Sequence, residues 1–374
     1  MVDYGKLIIF MEFSLSLKKY LLYQRITLYQ ERLVRTIKVD IIGGSLSGLS
    51  TAISLKEHDS SIEVVVHEKY KEIGHNHEGR RCGEAHSVER EWTKWKPTGK
   101  SIYNNILNGE VVIGKKRYRA KRPPNVAFML NRQEFICQLA RDAEKRGAVL
   151  QTNDKIKSVD DLDSDFIVDA SGCPSSIKRD LDLGTGFVGT TFQQTLEEAN
   201  CFVADTVKII FSPILGYFWV FPRNPEKKEV NVGVGMLGDF GYNLREILES
   251  FKEEHQITGT VNYVVGGLIP LGLQRPLLYK NILFVGDAGV GAFPLSGRGI
   301  YRALMSGDIA GRCIAKKQPK KYPSIIRREF LLWDLMGSTF IRTNLVFRKI
   351  NPELFLTSLN LLSRAGKELS PLTH

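Results

Sequence analysis

The sequence predicts an α/β fold: a doubly wound, Rossmann-like domain on a parallel sheet, made discontinuous by an inserted α+β domain on an antiparallel sheet, and followed by a C-terminal helical segment. Three observations carry this. The segment KVDIIGGSLSG sets a strand, a glycine turn and the start of a helix in succession, and a second strand follows, which makes one βαβ unit. Between about Gly186 and Leu273 the apolar period becomes mostly two, as in KIIFSPILGYFWVFP and EVNVGVGML, the pattern of half-buried antiparallel strands. The run NILFV and then GIYRALMSGDIAGRCIA return to strand and long helix, completing the first sheet from the far end of the chain.

The elements follow in order. Residues 1–36 hold the apolar patches KLIIF and YLLY, broken by Lys18, Lys19 and Arg25. They lack a small-residue cleavage site and an unbroken apolar run of about 18 residues, so neither a signal peptide nor a membrane span is expected. Two readings of this extension stay open: an amphipathic surface segment, or a stretch upstream of the native start. A strand over Lys38 to Ile42, a helix over about Leu46 to Lys56 and a strand over Ile62 to His67 form the first unit. Polar loop (Gly74 to Arg90) and short antiparallel strands reach Pro123 and Pro124. The helix RQEFICQLARDAEKRG places Phe135, Leu139 and Ala143 on one stripe and stops at Gly147. A further helix is expected over about Leu244 to His255. We therefore assign residues 37–90, 126–185 and 274–318 to the first domain, 91–125 and 186–273 to the second, and 319–374 to the helical segment.

Bulk properties narrow the function classes. A chain of 374 residues has room for two or three cores, and 43% hydrophobic with 25% charged residues excludes disordered and fibrous classes. The net charge of +11 favours anionic partners, among them phosphates and acidic lipid headgroups. No nucleic-acid-binding module accompanies that charge, so nucleic acid is not expected. The five cysteines are scattered without disulfide or zinc spacing, which points to a reducing compartment, the cytoplasm.

The glycine turn carries the first chemistry. Gly43, Gly44 and Gly48 let backbone NH groups and a helix N-terminus approach a pyrophosphate, and Ser45 stands where the dinucleotide fingerprint has its second glycine. Glu68, twenty positions after Gly48, is placed to accept from ribose hydroxyls. FIVDASGCPSSIKR ends a strand in Asp169, Ala170, Ser171 and Gly172. ILFVGDAGVGAFPLSGRGI sets Gly286 and Asp287 beyond another strand, then Pro294, Gly297, Gly299 and Ile300 at a helix start. Asp287 can hydrogen-bond a ribityl chain, and the helix start can face the carbonyl edge of a flavin ring. Three such turns in this order predict FAD.

With these residues in view, the chain resembles the geranylgeranyl reductases, within the flavoprotein superfamily typified by para-hydroxybenzoate hydroxylase, over about residues 37–320. Tyr217, Trp219, Phe221 and Pro222 match the family's Tyr-x-Trp-x-Phe-Pro signature, and Cys82, Gly83, Glu84 and Ala85 its Cys-Gly-acid-Ala stretch beside the flavin. Arg132 takes the place of a flavin-contacting arginine, and Arg81, Cys82 and Gly83 join the expected cofactor contacts. The resemblance implies saturation of isolated double bonds in a polyprenyl chain on a lipid or lipid precursor.

An isolated alkene needs a hydride donor, a proton source and an apolar enclosure. Cys82, Tyr217 and Trp219 are the catalytic candidates, and Tyr217, Trp219, Phe221 and Pro222 the substrate-binding ones. Tyr217, Trp219 and Phe221 either wall a tunnel or form sheet core. Cys82, flanked by Arg80 and Arg81, either assists proton delivery or is an inert thiol. His75 and His77 lack further ligands, so no metal is expected.

The sequence shows no second fingerprint for a nicotinamide, and the electron donor is either NADPH or an electron-carrier protein. Two basic surfaces, Gly114 to Arg122 and the region from Arg312 onward, suit anionic lipid headgroups. Phe330, Trp333, Phe340, Phe347 and Phe355 fit either a helix on the inner face of the cell membrane or a helical cap on the second domain. Rival functions are an FAD-dependent monooxygenase of the aromatic-hydroxylase type and a non-catalytic flavin or electron-relay protein.

Overall fold

The computed structural model describes residues 36–74, 83–88, 94–211, 216–237 and 241–348. The chain divides after Ile37, and the account concerns the unit that starts at Lys38.

The first unit is β1 (Lys38–Ile42), α1 (Leu46–His58) and β2 (Glu63–Glu68), with β1 and β2 parallel, Lys38 opposite Glu63 and Ile42 opposite His67. The chain then runs through β3 (Ala85–Ser87), β4 (Ile102–Ile106), β5 (Asn108–Ile113), β6 (Lys116–Lys121) and β7 (Ala127–Leu130). Next come α2 (Arg132–Lys145), β8 (Val149–Thr152), β9 (Phe166–Asp169) and α3 (Ser176–Asp180). A second excursion forms β10 (Val188–Glu197), β11 (Thr206–Phe211), β12 (Gly216–Pro222), β13 (Val230–Leu237), α4 (Leu244–Glu254) and β14 (Thr260–Pro270). The chain then makes β15 (Leu278–Tyr279), β16 (Ile282–Phe284), the one-turn α5 (Gly286–Gly289), α6 (Ile300–Ala315) and α7 (Tyr322–Arg348).

The six-stranded sheet has the order β15-β16-β9-β1-β2-β8, parallel except at the edge strand β15. Its register sets Ile42 beside Asp169 and Asp169 beside Phe284. Three turns distant in sequence therefore leave the same carboxyl edge side by side, where open α/β sheets bind ligands. Helix α6 closes on α1 through small residues. A Cβ at Gly307 would come within 2.1 Å of the Ser50 hydroxyl, and the Ser54 hydroxyl donates to the Asp308 carbonyl at 3.0 Å.

The seven-stranded sheet has the order β14-β10-β13-β12-β11-β5-β6. The antiparallel expectation for residues 91–125 meets one difference here: β5 lies parallel to β11. No hairpin joins them, since the chain passes through the first sheet in between, and a long crossover permits the parallel direction. A small sheet, β3-β7-β4, stands apart from both.

One face of the seven-stranded sheet is closed by α4, whose Leu248 and Phe251 pack on Phe218, Val220, Val232 and Val234. The Phe218 and Phe251 rings stack at 4.1 Å. Helix α7 docks by its first turns: Tyr322 donates to the Phe284 carbonyl at 2.7 Å, and Phe330 is buried. Arg302 of α6, wholly buried, reaches Asp334 of α7 at 2.6 and 2.9 Å and lies between the Phe293 and Phe330 rings. A buried guanidinium is tolerable only with such a partner, so this pair fixes where α7 sits. No helix among the described residues is long and apolar enough to cross a membrane.

Candidate active site

The β1–α1 turn is built by exclusion of side chains. Gly43 has φ +108°, and a Cβ there would meet the Ala170 carbonyl oxygen at 2.6 Å; one at Gly48 would lie 2.1 Å from the Gly43 carbonyl oxygen. Ser45, where the fingerprint has glycine, works as the N-cap of α1: its hydroxyl oxygen accepts from the Gly48 amide at 3.3 Å and donates to the Ala170 carbonyl at 3.1 Å. The serine thus locks the first turn to the end of β9. Glu68 accepts from the Gly44 amide at 2.9 Å with one oxygen and from the Tyr70 amide at 3.0 Å with the other. Both oxygens keep a further acceptor position, as ribose hydroxyls would require.

Asp169 is fully buried; loss of hydration holds its carboxyl above the usual range despite donors from Ser175 and from the Ser171 amide at 2.9 Å. It organises the turn from beneath. Gly172 follows with φ +93° and open space where a Cβ would stand. Beyond β16, Gly286 gives its amide to the Ser306 hydroxyl at 2.9 Å. Asp287, next to it, is exposed. Loss of hydration beside the packed turn raises its carboxyl above the carboxylate range, against the pull of Arg132 and Arg302. Arg132 opens α2, and its Nε is buried with no partner among the described residues. Gly299 is the N-cap of α6 and Ile300 its first residue, with no side chain capping the free amides of that turn.

These features fit a flavin dinucleotide: a strand-to-helix turn free of side chains, uncapped helix amides, a guanidinium nitrogen without a partner among the described residues and an exposed carboxyl.

The second wall is the face of the seven-stranded sheet away from α4. Tyr217, Trp219 and Phe221 alternate along β12, opposite Gly235, Gly233 and Asn231 of β13. A Cβ at Gly233 would lie 2.2 Å from the Trp219 ring, so the indole lies flat in the space glycine leaves. Trp219 donates to Gln193 Oε1 at 2.9 Å, and Tyr217 donates to the Ser296 carbonyl at 2.7 Å. The second bond ties this sheet to the Pro294–Gly297 turn; loss of hydration pushes the Tyr217 phenol well above its ordinary pKa. Pro222 ends the strand, its carbonyl accepting from Asn104 at 3.0 Å. Between this face and Pro294, Leu295 and Gly297 lies a partly open cleft with a cavity volume of about 40 Å³, lined by Phe211, Tyr217, Met236, Leu237 and Ile269 among others.

Gly83 packs on Phe221, 3.1 Å from where its Cβ would stand. Cys82 and Arg81, with Arg80, His75 and His77, lie outside the described residues. No group of three or more metal-ligating side chains occurs among the described residues.

Sequence reasoning missed the network behind Gly83. Glu84, at φ +61°, receives the Arg223 guanidinium at 2.5 Å, and Arg223 also reaches Glu229 at 2.5 Å. All three are buried, and Asn231 joins them by donating to Glu84 Oε2 at 3.3 Å. An arginine directly after Tyr-x-Trp-x-Phe-Pro was the available signal. Gln193, Ser296 and the Arg302–Asp334 pair left none, since each acts through a partner far away in sequence.

Parallel-sheet turns and an open antiparallel face define a class: the fold is that of the FAD-dependent oxidoreductases. Among solved structures the chain superposes on a geranylgeranyl bacteriochlorophyll reductase-like protein from Thermoplasma acidophilum with a TM-score of 0.71 at 21% identity, covering 82% of this chain and 87% of that one. It also superposes on the flavin-dependent brominase Bmp2, with a TM-score of 0.65 at 16% identity, covering 87% and 90%. In sequence the chain is similar to digeranylgeranylglycerophospholipid reductases. That of Methanothrix thermoacetophila is 26% identical over 310 residues, 73% of this chain and 75% of the relative. That of Methanocaldococcus jannaschii is 24% identical over 359 residues, 86% and 88%. No family profile matches the chain.

Proposed function

We propose that the chain is an FAD-dependent reductase that saturates C=C bonds of a geranylgeranyl chain on a lipid or lipid precursor. The observation that carries this is the apolar cleft beside Tyr217, which ends at the Pro294–Gly297 turn from which α6 starts. An alkene chain lying there reaches the cofactor edge without crossing water. The similarity to the named lipid reductases supports the same substrate class.

Gly43, Gly44, Ser45 and Gly48 would hold the pyrophosphate, Glu68 the ribose, and Arg132, Asp287 and the Gly297–Ile300 turn the flavin side. When bound and reduced, FAD supplies a hydride to one alkene carbon. The other carbon takes a proton, and the chain's part is to align the bond and keep water out. Tyr217 and Trp219 have their hydrogens engaged with Ser296 and Gln193, which suits walls of the cleft. Cys82, beside Gly83 in sequence, is our candidate for proton delivery. The electron donor is NADPH or an electron-carrier protein.

Lipid-borne substrate calls for surface contact. Leu332, Leu335 and Met336 of α7 are exposed, at 66%, 55% and 41%, with Arg328 one turn before and Arg342 beyond. This face would rest on the inner surface of the cell membrane of a cytoplasmic protein. The test is anaerobic incubation of the dithionite-reduced, FAD-loaded protein with a geranylgeranyl lipid. A gain of about two mass units per double bond is expected; no gain, with oxygen-dependent hydroxylation instead, overturns the reading in favour of a monooxygenase.

A further inference from the structure

On the small β3-β7-β4 sheet, Ala85, Met129 and Ala127 turn to one side, where they pack with Ile106 and Phe221. His86 and its register partner Phe128 take the opposite side. There the imidazole lies 6.2 Å from the Phe135 ring of α2, beside the start of α6, and within charge reach of Arg298. It is 6% exposed, and its Nε2 is buried with no partner among the described residues. Arg132, one helical turn before Phe135, carries another nitrogen without a partner among the described residues, and Arg132 is in turn within charge reach of Asp287. Two buried nitrogens without partners among the described residues flank one aromatic ring next to the Gly297–Gly299 turn, and a ligand there would bring the acceptor or donor they lack.

We propose that His86 contacts the bound flavin nucleotide through the ring nitrogen that has no partner among the described residues. The inference rests on the FAD reading above. Burial and the positive charge of Arg298 bring the imidazole down to a pKa of about 3, so it meets the ligand neutral, able to accept on one nitrogen and donate on the other. Adding a contact this close to the α6 start also gives His86 influence over the flavin's absorption, since the spectrum responds to hydrogen bonding at the ring.

The experiment is titration of the apoprotein with FAD, followed by flavin fluorescence and absorption, for wild type, His86→Phe and His86→Asn, with each apoprotein's thermal midpoint measured alongside. Expected is a loss of about tenfold in affinity for His86→Phe, the size of one hydrogen bond to a buried group, with an altered absorption band. His86→Asn, which keeps a donor and an acceptor, recovers most of the affinity. A folded His86→Phe that binds FAD as wild type does, with an unchanged spectrum, overturns the proposal. Equal losses in Phe and Asn, which make the effect one of packing, do so too. Failure of the wild type to bind FAD strikes the cofactor reading itself, and with it this contact.

Discussion

The two faces of β12 carry the same kind of residue and meet opposite fates. Phe218 and Val220 point to one side, where α4 brings Leu248 and Phe251 down on them and the space is filled. Tyr217, Trp219 and Phe221 point to the other, where the register partners on β13 are Gly235, Gly233 and Asn231 and a cleft stays open beside Tyr217. Aromatic content does not separate core from site here; what stands opposite does. Valine opposite an aromatic makes a filled layer, whereas glycine lets the aromatic lie flat and leaves volume above it. Polar anchors mark the open face as well, since Gln193 and Ser296 hold the Trp219 and Tyr217 hydrogens in fixed directions.

The largest effect should come from the closed face. Phe218→Ala removes a ring stacked at 4.1 Å on Phe251 and leaves a cavity, so urea unfolding should report a loss of about 3–5 kcal/mol. Turnover by the molecules that stay folded should be unchanged. A smaller loss with impaired turnover would erase the distinction between the faces. On the open face Gly233→Ala is next: its Cβ would stand 2.2 Å from the Trp219 ring, forcing the indole out of its place. We expect about 1–3 kcal/mol of destabilisation and a weakened prenyl substrate KM, both measurable in one preparation.

Acid sharpens a second contrast, between two histidines. His86 has its folded pKa depressed to about 3, below the unfolded value near 6.5, so the unfolded chain binds the proton more tightly. Its contribution is fully present above about pH 6.5 and is lost as pH falls, by roughly 2 kcal/mol at pH 5. His67 goes the other way. Burial pushes it down, but its hydrogen bonds to Asp40 at 3.0 Å and Asp154 at 2.7 Å outweigh this and raise its pKa. Its stabilisation is present below about pH 6.5 and fades as pH rises through the folded value. Stability measured from pH 5 to 8 should rise more gently with pH in His86→Phe than in wild type, and more steeply in His67→Asn.

What the sequence made legible was local. The β1–α1 turn, the strand before Asp287 and helices α1, α2, α4 and α6 follow from glycine spacing and apolar period, which act within a few residues. Period two likewise divided Tyr217, Trp219 and Phe221 from Phe218 and Val220, but could not say which set faces a ligand. Gly233 and Gly235, two apart in EVNVGVGML, carried that answer only once the β12–β13 register was known. The parallel pairing of β5 with β11, the Arg223 bonds to Glu84 and Glu229, and the burial of Arg302 against Asp334 depend on contacts mostly far apart in the chain. Ser45 shows a subtler limit: it reads as a missing glycine, and in the fold it is a cap.

The smallest expected effect is the most discriminating. Gly235 lies two residues from Gly233 on the same face, yet a Cβ there would meet Trp219 at 3.5 Å and the Thr191 methyl at 3.6 Å, ordinary contact distances. In Gly235→Ala the added methyl fills space at the cleft wall without moving a neighbour. Lowered freedom of the unfolded chain offsets any small misfit, so the unfolding free energy should change by no more than about 0.5 kcal/mol. Substrate should feel it nonetheless, because Gly235 lines the cleft: KM for a geranylgeranyl lipid should rise while FAD affinity holds. If Gly235→Ala were as destabilising as Gly233→Ala, the space above Gly235 would be packed as tightly as the α4 side, and the difference between the two faces would come down to a single indole.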